Sequence, residues 1–66
     1  MKSYHKKDGI VFMVKNDFLN GFVVTSTETL WLHRQVVDMD YVGSLVATEQ
    51  EYMEQIGRFV EKVKQL

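Results

Sequence analysis

The stretch TLWLHRQV, Thr29 to Val36, places the one tryptophan of the chain beside a histidine and an arginine. An indole next to basic side chains can stack on nucleic-acid bases, and it can equally anchor a protein partner. A β-strand alternates its side chains between two faces, so Trp31 and His33 share one face while Arg34 points to the other. This alternation weakens the base-stacking interpretation, because the arginine would lie away from the ring.

Histidine and aspartate side chains raise the question of a metal site. His5, His33, Asp38 and Asp40 are suitable ligand types, but no helical histidine pair and no cysteine supports them. Two aspartates two residues apart after a strand are typical of a solvated turn. The chain also contains no GxSxG motif, Walker-type glycine loop or cysteine nucleophile. We therefore expect no enzyme, no metal and no cofactor.

Length and charge restrict the class of protein further. With 66 residues the chain has room for one small domain, residues 1–66, with a small core. Eight Lys and Arg against nine Asp and Glu give a net charge of -1, which argues against general phosphate binding. The absence of cysteine favours a reducing compartment, and the apolar run Ile10 to Val14 is too short to span a bilayer. We expect a cytoplasmic protein without a membrane segment.

The C-terminal third predicts a helix over Thr48 to Leu66. Thr48 and Glu51 form the pattern of a capping box, which satisfies backbone donors at a helix start. Apolar residues then recur at spacings of three and four, which indicates one buried stripe. Gly57 interrupts this pattern at a cost of about 1 kcal/mol relative to alanine. Either another backbone crosses closely there or the glycine is a tolerated surface residue.

The residues before the helix, within 9–47, predict β-strands. Gly9 to Val14 is a continuous run of β-formers, and Gly21 to Thr27 follows an Asn-Gly pair that favours a two-residue hairpin turn. Lys15 to Asp17 could instead supply a bulge or the turn. Glu28 to Val37 predicts a third strand, and Tyr41 to Ala47 a short fourth strand or a linker. The basic start, His5 to Lys7, is expected to be a solvated edge or a frayed terminus.

These elements predict an α+β fold, βββ(β)α, in which one C-terminal helix packs on a three- or four-stranded, mainly antiparallel sheet. Leu30 and Leu32 are expected to face the helix, and Trp31 the opposite side. The predicted core consists of apolar residues from every element: Ile10, Phe12, Val14, Phe22, Val24, Leu30, Leu32, Tyr52, Ile56, Phe59 and Val63. A register slip of one residue would exchange the two faces of any strand.

One helix covers only one face, yet the first strand is apolar on both. The second face is therefore either a partner site or the interior of a closed barrel. The predicted interaction residues on it are Trp31, His33, Gln35, Val11 and Met13. Because so small a core has no disulfide or metal to reinforce it, we also expect a homodimer.

A non-catalytic protein-binding module is the leading functional prediction. In size and lack of catalytic residues the chain resembles stand-alone accessory proteins of bacteria and their phages. That resemblance implies a small inhibitor or regulator that binds one host protein. The alternatives are a single-stranded nucleic-acid-binding protein and a self-associating structural subunit.

Overall fold

The structure, a computed structural model, describes residues 1–16 and 20–66, which form five strands and one helix. In chain order the elements are β1 (Lys2–Lys7), β2 (Ile10–Asn16), β3 (Gly21–Ser26), β4 (Trp31–Gln35), β5 (Leu45–Val46) and α1 (Glu49–Lys64). The strands form one sheet in the order β4-β3-β2-β1-β5, and every neighbouring pair is antiparallel. The α+β prediction is confirmed, with one or two more strands than expected.

The additional strand is β1, so the prediction of a frayed or edge-forming basic start is wrong. Lys7 pairs with Ile10, which leaves Asp8 and Gly9 as a two-residue turn. Both turn residues have positive φ, 53° at Asp8 and 78° at Gly9, as a type I′ hairpin turn requires. The Asp8-Gly9 pair is a strong hairpin signal, and it predicts the β1–β2 hairpin that the strand assignment from sequence lacks. Its effect is to place β1 between β2 and β5 rather than at the sheet edge.

The predicted β2–β3 hairpin is present, but its turn is not Asn20-Gly21. Gly21 pairs with Asn16 and is the first residue of β3. A Cβ at Gly21 would lie 2.6 Å from Asn16 Oδ1 and 2.8 Å from Val36 Cγ1, so any larger residue there would force these two side chains to move. Of the alternative turn at Lys15 to Asp17, the first two residues are strand residues, and Asp17 lies outside the described residues.

The helix begins as predicted. Thr48 is the N-cap, and its Oγ1 accepts a hydrogen bond from the Glu51 N–H at 3.1 Å, while Glu51 Oε1 accepts from the Thr48 N–H at 3.0 Å. The Thr48 N–H, followed by the Lys6 ammonium, holds the pKa of Glu51 below its ordinary value. At Gly57 an added Cβ would meet no described atom within 4 Å. The tolerated surface glycine is therefore the correct interpretation.

The helix runs across the strands rather than along them. Near its start Glu51 Oε2 lies 3.2 Å from Lys6 Nζ of β1, and near its end the Phe59 ring lies 5.9 Å from Trp31 of β4. Between them Gln55 is hydrogen-bonded to Val11 of β2. Strand pairing aligns Lys6 with Val11 and Trp31 with Ser26, so the helix lies over one row of residues near one end of the sheet.

Buried apolar residues lie on both faces of the sheet. Under the helix, Val11, Ala47 and Tyr52 form one cluster with the half-buried residues Tyr4, Met13 and Ile56. On the opposite face Phe12, Val14 and Val23 form a second cluster with Val36. The residues after β4 fold back over this second face, and the Tyr41 ring meets His5 at 5.4 Å. The core is thus divided into two thin layers.

The predicted core is correct in part. Phe12, Val14 and Tyr52 are buried, whereas Leu30 and Val63 are exposed. The remaining predicted residues are half-buried: Ile10, Phe22, Val24, Leu32, Ile56 and Phe59. The buried apolar residues missing from the prediction are Val11, Val23 and Ala47, and the polar residues Thr25, Ser26 and Gln55 are buried as well.

The face assignment of β4 is wrong, because Trp31 packs against the helix and Leu32 lies on the opposite side of the strand. The closed-barrel alternative is wrong as well, since β4 and β5 form opposite edges of an open sheet. Among residues 1–16 and 20–66, no helix has the length and hydrophobicity to cross a membrane.

Candidate functional site

The five predicted interaction residues all lie on the sheet face that the helix crosses. Strand register puts Trp31, His33 and Gln35 on one side of β4, in line with Met13 and Val11 through β3. The helix separates them, however. Val11 is 6% exposed and Met13 half-buried beneath it, whereas His33 and Gln35 remain exposed. The structure therefore places all five on one face but leaves only the β4 residues accessible.

Trp31 has an intermediate environment. Its indole contacts the Phe59 ring at 5.9 Å with an interplanar angle of 38°, yet 48% of the residue is accessible to solvent. The ring therefore contributes both to the attachment of the helix and to the surface. An aromatic ring held on one side and open on the other is a suitable anchor for a partner.

His33 and Phe22 continue this surface away from the helix. Their rings lie 5.4 Å apart, and Phe22 pairs across the ladder with Gln35 on one side and Lys15 on the other. The helix crosses the opposite end of these strands, so among residues 1–16 and 20–66 this end of the face has no helical cover. We call Phe22, His33 and Gln35 the uncovered row.

Arg34 belongs to the other face, as the alternation predicted. Its guanidinium forms a bidentate ion pair with Asp40, in which Nη1 lies 2.9 Å from Oδ2 and Nη2 contacts Oδ1. Asp40 Oδ2 also accepts a hydrogen bond from the Val37 N–H at 2.8 Å. The Arg34 guanidinium is the main cause that holds the pKa of Asp40 below its ordinary value. This arginine fastens the segment after β4 to the sheet and does not lie beside Trp31.

A groove lies beside the same ion pair, on the face opposite the helix. Its volume is about 290 Å³, and five apolar side chains line it: Ile10, Phe12, Val23, Leu30 and Leu32. Leu30 is 60% exposed. Lys7, Arg34 and Asp40 lie at its charged end, where Lys7 Nζ donates a hydrogen bond to the Met39 carbonyl at 2.5 Å.

The groove was missed because it depends on which face Leu30 and Leu32 occupy. The alternation of β4 alone predicts both leucines under the helix, where they would be core residues. The available signal was that both faces of β2 are apolar, which implied an incompletely covered second face. The second face is indeed incompletely covered, but at β4 it carries Leu30 and Leu32 and not Trp31.

The proposed histidine and aspartate ligands do not converge. His5 stacks on Phe12 at 5.2 Å on the groove face, whereas His33 lies on the helix face. Asp40 is occupied by Arg34, and Asp38 is exposed in a short 3-10 turn, Asp38–Asp40. Within the part of the chain that the structure describes, no three histidine or acidic residues form a group that could hold a metal ion.

Comparison with known proteins finds no matching family model, curated protein or solved structure. The functional interpretation accordingly depends on the surfaces on the two sides of β4.

Proposed function

We propose that this chain is a non-catalytic protein-binding module, a small inhibitor or regulator that binds one host protein through the groove. The observation that carries the proposal is the apolar lining of the groove, in which Leu30 is 60% exposed and Leu32 half-buried on an open sheet face. Apolar side chains left at the surface of a small domain mark interaction sites when they are contiguous.

The size and chemistry of the groove favour an apolar protein side chain over a charged ligand. About 290 Å³ accommodates one or two large apolar side chains of a partner, which is how an interface anchor is seated. Three of the four charged groups that line it are paired, since Arg34 binds Asp40 and Lys7 binds the Met39 carbonyl, while the fourth, Asp8, is an exposed carboxylate that would repel a phosphate. The three paired groups are poorly placed to serve as a phosphate site or as free acid-base groups, which supports a binding rather than a catalytic role.

Exposed apolar residues elsewhere also support a binding role. Leu45 and Val46 of β5 are exposed at the sheet edge opposite β4, in addition to Leu30 at the groove. Covering part of this surface with a partner would lower its free energy.

The test is a pull-down from a lysate of the cell in which the protein acts, with tagged wild type, Leu30→Asp and Gln50→Asp as baits. Both variants add one negative charge at an exposed position, but Gln50 lies on the polar side of the helix, away from the groove. We expect one protein to be retained by wild type and Gln50→Asp and lost with Leu30→Asp. Far-UV circular dichroism should show the same fold for all three.

Nuclease treatment distinguishes the main alternative, a single-stranded nucleic-acid-binding protein. The observation that favours it is the helix face, where Lys15 pairs with Phe22 and the His33 ring lies tilted against the Phe22 ring at 5.4 Å. Aromatic rings beside basic side chains can bind bases and phosphates. Recovery that disappears with nuclease and with Phe22→Ala, but survives Leu30→Asp, would replace groove docking with this alternative.

Self-association is the second alternative within the protein-binding class. A homodimer would reinforce a core that is divided into two thin layers and has no disulfide. It would also use a surface other than the groove, so the two kinds of binding are compatible.

A further inference from the structure

The outer edge of β4 exposes a regular series of backbone groups. On its inner side, the Val36 N–H donates to the Gly21 carbonyl at 2.9 Å and the Thr27 N–H donates to the Leu30 carbonyl at 2.9 Å. Because antiparallel pairs alternate between hydrogen-bonded and non-hydrogen-bonded, the even-numbered residues of β4 direct their backbone groups to β3. Trp31, His33 and Gln35 therefore direct theirs outward, where no strand of the described residues lies.

This edge lacks the features that usually prevent strand pairing. It contains no proline, and its residues Trp31–Gln35 continue the β3–β4 ladder without a bulge. Arg34 is the one charged residue in it, and its side chain is held on the groove face by Asp40. Arg34 Nη1 also donates to the Gln35 carbonyl at 3.1 Å, and a carbonyl oxygen has a second lone pair for a strand partner.

The end of the helix extends past this edge. Phe59 lies over β4 at Trp31, and the seven residues from Phe59 to Leu66 advance by about 10 Å, roughly two strand spacings. Val63 follows Phe59 by four residues, so it continues the side of the helix that faces the sheet, and Leu66 lies two residues beyond the last helical residue, Lys64. Val63 is 49% exposed and Leu66 fully exposed. We call residues 60–66 the overhang.

We propose that a second copy of this chain occupies the edge, with the two β4 strands antiparallel and a two-fold axis at His33. In this register each His33 lies opposite His33 of the second copy, and each Trp31 lies opposite Gln35. All outward backbone groups of these three residues are then paired, which gives six hydrogen bonds and a continuous ten-stranded sheet.

The same two-fold axis gives the overhang a place to dock. The row of cross-strand residues under the helix ends at Trp31. In the dimer Trp31 pairs with Gln35 of the second copy, so this row continues into Gln35 and Phe22 of that copy. Val63 then lies over Gln35 of the second copy, and Leu66 over Phe22. One symmetry operation thus pairs both open edges and places each overhang over Gln35 and Phe22 of the other copy's uncovered row, as an isologous interface requires. This is why a second copy fits better than an unrelated strand or an oligonucleotide.

This proposal deepens the self-association described above by naming its surface, and it does not depend on groove docking. In the dimer both grooves lie on the side opposite the helices, because a two-fold axis through an antiparallel pair keeps equivalent faces together. Leu30→Asp should therefore abolish groove binding without changing the dimer.

The test uses the position that would meet its own copy. His33→Lys and His33→Asp each place like charges directly across the axis, whereas an equimolar mixture allows one Lys to meet one Asp. Cross-strand charge pairs of this kind differ by about 1 kcal/mol, which corresponds to a factor of about five in the dissociation constant. In sedimentation equilibrium at micromolar concentration we expect wild type at twice the 7.8 kDa chain mass. We expect weaker dimers for either variant alone and an at least fivefold tighter dimer in the mixture.

Two further variants test the overhang and the controls. Val63→Asp, at a half-exposed position, should weaken the dimer about tenfold or more because the change occurs at both symmetric contacts. Gln50→Lys and Gln50→Asp, which alter the same charges far from the axis, should leave dissociation unchanged. A monomeric wild type overturns the proposal, and so does a dimer that ignores His33 and Val63. A monomer that binds single-stranded oligo-dT through Phe22 would assign the uncovered row to nucleic acid instead.

Discussion

The most informative stability prediction concerns Gln55. Its buried side-chain amide takes the place of the backbone hydrogen bonds between β2 and β3. The β2–β3 ladder begins at Met13 and Val24, so Val11 lies beyond the paired region. Gln55 Oε1 accepts from the Val11 N–H at 2.9 Å, and Gln55 Nε2 donates to the Val11 carbonyl at 2.6 Å. Nε2 also donates to Thr25 Oγ1 at 2.9 Å, and Gln55 is only 7% exposed.

Gln55→Met should destabilise the protein by about 2–4 kcal/mol. Methionine has a similar length and favours helix, so the change removes mainly the three hydrogen bonds. Each contributes about 0.5–1.5 kcal/mol net, and a buried N–H left without an acceptor costs about 1–3 kcal/mol. The Val11 carbonyl keeps its bond from Thr25 Oγ1 at 2.5 Å, so the Val11 N–H carries most of the loss. For a chain of this size the total stability is roughly 3–10 kcal/mol.

The measurement is urea unfolding at one fixed protein concentration, followed by far-UV circular dichroism and by Trp31 fluorescence. Gln50→Met is the matched control, because Gln50 is exposed on the same helix and should change the free energy of unfolding by less than about 0.5 kcal/mol. If the two variants unfold at the same urea concentration, the amide does not replace strand pairing and the inferred arrangement at Val11 is incorrect.

Three further outcomes are expected from the same unfolding assay. Gly57→Ala should raise the free energy of unfolding by about 0.5–1 kcal/mol, since the added methyl group meets no described atom within 4 Å; a decrease would indicate a contact. Asp40, whose pKa Arg34 lowers, should stabilise the fold above its unfolded pKa of about 3.9. This contribution should be lost as the pH falls through the lower folded pKa, and Asp40→Asn should reduce the acid sensitivity. Phe59→Ala should cost about 1–2 kcal/mol, less than the 3–5 kcal/mol of a fully buried ring, because Phe59 is half-buried against Trp31; a loss above 3 kcal/mol would contradict this packing.

The helix could be predicted from sequence because its signals are local. The Thr48 and Glu51 capping box and the spacing of its apolar residues occur within a few turns of one another. The Asp8-Gly9 turn was equally local and could have revealed β1, but the lysines beside it were interpreted as a solvated start.

The faces of β4 could not be predicted in the same way. Which side Trp31 occupies depends on strand register, and both sides of this strand carry large apolar residues. The groove depends further on Val36 to Asp40 folding back over the second face through the Arg34 ion pair. The bonds from Gln55 to Val11 join residues 44 positions apart, so no local pattern indicates them.

The exposed apolar residues of β4 follow from the direction of the helix. A helix parallel to the strands would cover one face along its length, but α1 crosses them near one end. Within the described residues, Phe22 and His33 at the other end have no helical cover. The last residues of the helix then extend beyond the edge strand, where Val63 and Leu66 have beneath them no strand of the part of the chain that the structure describes. On the opposite face Leu30 and Leu32 line the groove that the returning segment leaves open. Leu30 directly precedes β4, and side chains alternate between the two faces from Leu30 to His33. Substitutions at His33 and Leu30 should therefore separate self-association from partner binding.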